Sequence, residues 1–220
     1  MRRVRIPKEV IVVNDGSTDR TRSILDEMKA RYEPEEFLSA FTVIHQKNNG
    51  KGSALRAGIA HARGDIILFQ DADLEYDPED YPVLIRPIVS GEADFVMGSR
   101  LLGDKERLWA GGRHRFAYIR NHLGIRLITL LTNVLYRQHA TDYEGCYKVF
   151  RAVLVKNTPL EANGFEIDNE IVCKLLRRGH TMREVAIRYY PRSYEEGKKI
   201  RVRDGLKILW TIIKWRFERF

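Results

Sequence analysis

Short apolar runs alternate with amphipathic stretches along the first half of the chain. Four runs rich in β-branched and aromatic residues predict strands at 10–13, 41–44, 66–69 and 95–97. The stretches between them predict helices over about 18–31, 53–62 and 78–89. Strands with continuous apolar faces that alternate with helices predict an α/β fold, with a mostly parallel sheet flanked by helices.

The second half has a longer and less regular pattern. It predicts helices over 114–136 and 165–178, with strands at 147–150 and 185–187. Polar residues recur in steps of three and four over 204–220, which predicts a C-terminal amphipathic helix. The apolar side of that helix carries Leu206, Leu209, Trp210, Ile213, Phe217 and Phe220.

The length and composition fit one ordinary domain. The chain has 220 residues, of which 44% are hydrophobic and 31% are charged, so it is neither a disordered chain nor a membrane bundle. The longest apolar-rich run, 127–136, is far shorter than the ~20 residues of a spanning helix. No apolar signal region follows the basic start, and Cys146 and Cys173 are too few for a disulfide scaffold. We therefore expect a cytoplasmic protein with reduced thiols.

The net charge of +8 is unevenly distributed. Residues 1–99 hold 13 basic and 17 acidic side chains, whereas 100–137 hold 8 and 2, and 183–220 hold 11 and 5. Two basic blocks indicate either an anionic partner or simply well-solvated helices. They contain no recognised nucleic-acid-reading motif, which disfavours DNA and RNA as partners.

Acidic clusters follow the first and third predicted strands, where ligands bind in open α/β sheets. Asp71 and Asp73 are two residues apart, so in an extended chain both carboxylates can converge on one hard cation such as Mg²⁺ or Mn²⁺. Glu75 offers a further oxygen ligand. The alternative is an acidic turn before the helix that begins at Pro78.

Two further positions have a structural and a functional interpretation. Asp15 follows the first strand, where it either shapes a turn or accepts a hydrogen bond from a nucleotide base. Lys51 stands between Gly50 and Gly52 before a helix, either in a plain loop or near phosphates. The spacing does not match a P-loop.

Six segments, in this order and spacing, resemble the family 2 glycosyltransferases of the GT-A fold, and within them the dolichyl- or polyprenyl-phosphate sugar synthases. The resemblance extends over nearly the whole chain. Its segments are Val12-Val13-Asn14-Asp15-Gly16-Ser17-Thr18-Asp19, Asn49-Gly50-Lys51-Gly52, Asp71-Ala72-Asp73-Leu74-Glu75, Gly98-Ser99-Arg100, Gly145-Cys146-Tyr147-Lys148-Val149-Phe150-Arg151 and Arg192-Ser193-Tyr194-Glu195-Glu196-Gly197-Lys198-Lys199.

The resemblance implies roles for individual residues. Asp15, with Val13 beside it, would recognise the nucleotide base. Asp71, Ala72 and Asp73 would contact the sugar nucleotide. Among the candidate metal ligands Asp71, Asp73 and Glu75, Asp73 is the direct one. Asp73 and Arg100 are the implied catalytic groups near the donor sugar and its leaving diphosphate, and Lys51, Arg192 and Lys198 supply positive charge. Asp142 is a candidate polar positioner or base, or otherwise a cap.

The implied activity is an inverting, metal-assisted transfer of a sugar from a UDP- or GDP-linked donor. The acceptor implied is a polyprenyl or dolichyl phosphate. Residues 1–100 would form the nucleotide-sugar half and 101–220 the acceptor half of a single domain. Arg113, Arg115, Arg120 and Arg126, together with the last helix, would then meet an acceptor phosphate or the cytoplasmic face of a membrane, as a peripheral contact.

One departure from the family pattern bears on activity. Family members begin with a further strand, followed by Pro-x-Tyr-Asn-Glu, and the matching part of this sequence starts at the linker beyond it, around 6–9. Without that strand, its two neighbours should have open edges. A misassigned or truncated start, a strand supplied by another chain, and an impaired relative are the alternatives. The last of these predicts a scaffold that binds a membrane surface or a partner.

Overall fold

The structure is a computed structural model that describes residues 4–102, 115–190 and 202–220. Within those ranges the strands are β1 (Lys8–Asp15), β2 (Leu38–Gln46), β3 (Ile66–Leu68), β4 (Phe95–Ser99), β5 (Lys148–Arg151) and β6 (Met182–Ala186). The α-helices are α1 (Thr21–Ala30), α2 (Lys51–His61), α3 (Tyr81–Val89), α4 (Arg115–Tyr136), α5 (Ala152–Lys156), α6 (Ile167–Arg177) and α7 (Val202–Phe217). No helix in these ranges is both long enough and apolar enough to cross a membrane.

The strands form two sheets. β1 and β2 pair in parallel. The larger sheet has the order β3-β5-β4-β6, in which β4 and β6 are parallel and β5 is antiparallel to both of its neighbours. The predicted α/β fold is confirmed, with β5 as the exception to the parallel arrangement. A strand buried on both faces is apolar whichever way it runs, so its sequence does not reveal its direction.

β1 and β3 begin close to each other but do not pair among the described residues. Glu9, near the start of β1, accepts the Gly64 backbone N–H at 2.9 Å, just before β3 begins. Within the described residues β1 pairs only with β2, and β3 only with β5. The β-branched residues 10–13 are accordingly only partly buried. Both strands therefore have the open edges that the sequence predicted.

Apolar clusters cover both faces of the larger sheet. Phe95 and Phe150 face α6 and pack in one cluster, whereas their neighbours Val96 and Val149 face α3 and pack in the other. Successive side chains of a strand point to opposite faces, which explains why adjacent residues enter different clusters. The larger sheet is thus the centre of the fold, and its carboxyl-end loops are held on a rigid base.

α4 and α7 pack against α6 to form a third apolar cluster. Ile128 of α4 and Ile208 and Ile212 of α7 are buried in it. The ammonium group of Lys174, on α6, lies 3.5 Å from the centre of the Trp215 ring and 2.6 Å from Glu170 Oε1. One side of α7 is therefore firmly fixed.

Several boundaries differ from the predicted ones. The helix expected from residue 78 starts as a 3-10 turn over Pro78–Asp80, and α3 itself begins at Tyr81. The short helix α5 was not predicted, because its five residues are too few to show a helical period. β6 begins at Met182, earlier than expected. Its alternation of polar and apolar residues is too weak to indicate this start in the sequence.

Candidate active site

Asp15 ends β1 and organises the loop that leads into α2. One carboxylate oxygen accepts hydrogen bonds from Gln46 Nε2 at 2.7 Å and the Asn49 backbone N–H at 2.9 Å. The other accepts the Gly50 N–H at 2.8 Å. The partly buried side chain of Val13 points towards Gly58 of α2. The residues predicted to meet the base are thus fixed between β1 and α2.

Gly50 allows the start of α2 to lie directly against the chain that precedes α6. Its φ is +93°, and a Cβ at this position would collide with the backbone carbonyl of Asn163. The Gly52 N–H donates to the same carbonyl at 2.7 Å. This close approach sets the position of Lys51 between the two glycines.

Lys51 joins α2 to two carboxylates. Its Nζ lies 2.9 Å from Asp168 Oδ2 and 3.4 Å from Asp71 Oδ1. Burial alone would lower the pKa of Lys51, but the Asp168 and Asp71 carboxylates outweigh that effect and raise the pKa above its ordinary value. Lys51 therefore stays protonated at neutral pH.

Asp168 continues this chain of charges into the protein. Its Oδ1 lies 3.8 Å from Nζ of Lys148, a lysine that is 1% exposed. Burial would raise the pKa of Asp168, but the ammonium groups of Lys148 and Lys51 outweigh it and lower the pKa. The charges alternate in sign from Lys148 through Asp168 and Lys51 to Asp71.

The loop after β3 carries the predicted metal ligands. Asp71 and Asp73 are both partly exposed, and Asp73 Oδ1 accepts the Glu75 N–H at 3.1 Å. Ala72 between them is exposed. Glu75 is buried, and Tyr189 Oη donates to its Oε2 at 3.4 Å.

A metal at this loop would have few protein ligands. In the part of the chain that the structure describes, no group of three or more His, Cys, Asp or Glu side chains is arranged to hold a metal ion. Two partly exposed carboxylates, Asp71 and Asp73, match the requirements of Mg²⁺, which usually takes one or two carboxylates and completes its shell with water and phosphate oxygens. The residues present therefore fit an ion that is shared with a diphosphate.

Arg100 and Asp142 form a buried pair beside this loop. Arg100 Nε donates to Asp142 Oδ2 at 2.7 Å, and Nη2 donates to Oδ1 at 2.9 Å. Burial would raise the pKa of Asp142, but the guanidinium and its hydrogen bonds outweigh it and hold the pKa below its ordinary value. Arg100 also lies over the Tyr189 ring, with Cζ 5.3 Å from the ring centre. Asp142 is thus an ionised partner for Arg100.

Glu184 of β6 fixes the loop that contains Asp142. Its carboxylate accepts the backbone N–H groups of Thr141 at 2.9 Å and Asp142 at 2.8 Å. The loop reaches the predicted metal ligands through Cys146, whose Sγ accepts the Asp71 N–H at 2.9 Å. Contacts therefore run from the Lys51–Asp71 pair to the Asp142 loop.

Sequence reasoning missed Asp168 and Glu184. The available signal for Asp168 was an acidic residue in the first turn of a helix that also carries the apolar residues Ile167, Ile171 and Leu175. Glu184 had no such signal, because it resembles an ordinary polar position of a strand. Arg192, Lys198 and Arg113 lie outside the described residues. Arg126 is exposed on α4.

Comparison with known proteins identifies the family. The model of glycosyl transferase family 2 matches residues 4–158. The chain belongs to glycosyl transferase family 2. It is similar to the low-salt glycan biosynthesis hexosyltransferase Agl6 of Haloferax volcanii, with 31% identity over 84% of the chain and 41% of that protein. It is also similar to the dolichyl-phosphate β-glucosyltransferase ALG5D of Trichomonas vaginalis, with 29% identity over 94% of the chain and 61% of that protein.

Solved structures show the same fold. The chain is similar to glucosyl-3-phosphoglycerate synthase of Mycobacterium tuberculosis in complex with UDP, with a TM-score of 0.62 and 19% identity. The match covers 94% of this family 2 chain and 68% of that protein. The same enzyme with Mn²⁺, UDP and glucosyl-3-phosphoglycerate gives a TM-score of 0.58. The family 2 chain therefore has a GT-A-type fold. It spans less than two thirds of the length of both curated relatives.

Proposed function

We propose that the chain transfers a sugar from a nucleoside diphosphate to the phosphate of a polyprenyl or dolichyl lipid, with inversion at the anomeric carbon. The observation that carries this proposal is the set of contacts linking Asp15, Lys51, Asp71 and the Arg100–Asp142 pair along one edge of the fold. A lipid acceptor requires access to a membrane, so the proposal includes peripheral association with its cytoplasmic face.

The donor half would bind the nucleotide and its phosphates. Asp15 retains one carboxylate lone pair, on Oδ2, for a base N–H. Lys51 keeps a positive charge beside Asp71. A Mg²⁺ or Mn²⁺ ion held by Asp73, with Asp71 beside it and Glu75 buried behind it, would neutralise charge on the diphosphate. Arg100 would stabilise the charge that develops on the leaving diphosphate.

The transfer itself needs little help from a base. An oxygen of the acceptor phosphate attacks the anomeric carbon while the bond from that carbon to the diphosphate oxygen breaks, so the nucleoside diphosphate leaves. The acceptor oxygen is already anionic, and Asp142 is fully buried and paired with Arg100. We therefore assign Asp142 to positioning Arg100 rather than to removing a proton.

Calorimetric titration tests the donor site. UDP and GDP are titrated in Mn²⁺ and again in EDTA, and the Asp73→Asn variant is compared with Asp65→Asn. Asp65 is an exposed carboxylate before β3, at the end of that strand opposite Asp73, so it is a matched control. We expect Mn²⁺-dependent binding of one nucleotide that Asp73→Asn abolishes and Asp65→Asn leaves unchanged.

The outcome decides between an enzyme and a scaffold. Absence of nucleotide binding in a folded protein contradicts the proposal and favours the impaired relative. If binding is found, the chain is incubated with UDP-glucose, UDP-N-acetylglucosamine or GDP-mannose and a short polyprenyl phosphate, and the glycolipid is measured by mass spectrometry. No product from any donor would reject the transferase activity of this chain.

A further inference from the structure

α4 and α7 each carry an exposed apolar stripe. On α4 the stripe consists of Leu123, Leu127, Leu130 and Val134, and on α7 of Leu206, Trp210, Ile213 and Phe217. The spacing within both stripes is four, three and four residues, which places each set on one face of its helix. Trp210 is 65% exposed and Phe217 is 73% exposed.

The two stripes border one continuous surface. Leu131 and Leu135 of α4 and Leu209 of α7 are half-buried in the cluster where the helices meet. On α4 the half-buried leucines adjoin the stripe, and on α7 Leu209 adjoins Trp210 and Ile213. We refer to the two stripes together as the α4–α7 face. The face thus gathers eight large exposed apolar side chains, and a contiguous group of this kind marks an interaction surface.

Basic side chains border the α4–α7 face. Arg126 is exposed beside Leu123 and Leu130, and Arg203 and Lys207 are exposed beside Leu206 and Trp210. The sequence of α4 contains no acidic residue, and Asp204 is the only one in α7. A second copy placed here by two-fold symmetry would bring like charges together. An anionic surface instead complements the border.

We infer that the α4–α7 face docks on an anionic lipid bilayer, with the apolar stripes in the acyl boundary and the arginine and lysine side chains at the headgroups. The pattern of large apolar residues bordered by basic ones is that of helices that lie in a membrane interface. The inference rests on the proposed function only in one respect, namely that a lipid acceptor gives the chain a reason to bind a membrane. The binding itself is tested without sugar nucleotide.

A polar residue of α4 outside the apolar stripe, Asn133, reaches the loop beside the candidate active site. Asn133 Nδ2 donates to the Ala140 carbonyl at 2.8 Å, and its Oδ1 accepts from Tyr143 Oη at 2.9 Å. These contacts hold the loop that contains Asp142. Docking through α4 would therefore fix the position of the Asp142 loop relative to the headgroups, among which a lipid phosphate lies.

Vesicle flotation tests the face directly. The chain is mixed with vesicles of phosphatidylcholine alone or of phosphatidylcholine and phosphatidylglycerol in equal parts, at low and high salt. We expect flotation with the mixed vesicles that high salt weakens, and a blue shift of tryptophan fluorescence that Trp210→Phe largely removes. Leu127→Glu and Trp210→Glu should each weaken partition by about tenfold or more.

Matched variants keep the inference falsifiable. Val89 on α3 and Val153 on α5 are exposed apolar residues outside the face, so Val89→Glu and Val153→Glu should bind vesicles like the wild type. Circular dichroism confirms that all variants are folded. The inference is overturned if the wild type does not float with mixed vesicles, or if the control variants lose as much binding. A concentration-dependent dimer that Trp210→Glu dissociates would also overturn it.

Discussion

Asp142 binds the Arg100 guanidinium through two hydrogen bonds, of 2.7 and 2.9 Å, at a place where the carboxylate is 0% exposed. Asp142→Asn preserves the shape but leaves the Arg100 charge unbalanced. We expect the free energy of unfolding to fall by about 3 kcal/mol. We expect kcat to fall by about a hundredfold, with a smaller change in donor KM.

An exposed ion pair provides the control for this substitution. Glu161 Oε2 lies 3.1 Å from Lys214 Nζ, and the Glu161 side chain is 61% exposed. Glu161→Gln should therefore change the unfolding free energy by less than about 1 kcal/mol. If the two substitutions had equal effects on the free energy of unfolding in urea, burial of the Arg100–Asp142 pair would add no stability.

The buried carboxylates should make the stability of the fold depend on pH in the acidic range. The folded-state pKa values of Asp142 and Asp168 are both lowered, so their contribution is complete above the unfolded pKa of about 3.9. It is lost as the pH falls through the folded-state values. We expect the urea midpoint of the wild type to fall steeply below about pH 4, and that of Asp142→Asn to fall less steeply. Parallel curves would contradict the assignment.

The Lys51–Asp168 contact should affect how tightly the phosphates of the donor bind. Lys51→Met removes the charge, and Asp168→Asn releases Lys51 from its 2.9 Å contact. We expect Lys51→Met to weaken UDP or GDP binding by about tenfold, and a double-mutant cycle to give a coupling energy of about 1 kcal/mol. The corresponding nucleoside without phosphates should bind all variants alike, since it offers no charge to Lys51. An equal loss of nucleoside affinity would indicate a merely structural effect.

Gly50 should tolerate no side chain. Gly50→Ala combines a φ of +93° with a collision against the Asn163 carbonyl, so we expect a loss of about 2 kcal/mol or more and weaker nucleotide binding. Gly124 lies within α4, and a Cβ added there would meet no atom within 4 Å outside the backbone of its own helix. Gly124→Ala should therefore raise stability by up to about 1 kcal/mol. Thermal unfolding of the two variants should shift in opposite directions.

Features encoded by consecutive residues were predicted from sequence. The apolar runs of β1 to β4 and the acidic loop at Asp71 and Asp73 depend on local periodicity and on the position of a loop after a strand. The structure has each of these where the pattern indicated. Their roles in binding stay predictions until the titrations are made.

Features that join distant segments were not predicted. Asp168 meets Lys51 across 117 positions of sequence, and Glu184 meets Asp142 across 42. An acidic residue on a helix or strand is most often solvated, so its pattern does not reveal a buried partner. The direction of β5 could not be predicted either, because the apolar pattern of a buried strand is the same for parallel and antiparallel pairing.

The reversed direction of β5 has a consequence for how the family can diversify. The chain leaves the larger sheet at Ser99 and returns at Lys148, and antiparallel pairing puts both points at the same edge. Everything between them is an excursion that starts and finishes beside the site. The middle of such an excursion can be lengthened or shortened without moving any strand, provided that Arg100, Asp142 and Cys146 near its ends keep their contacts. Under the proposed function, recognition of a new acceptor could evolve there while those contacts stay in place.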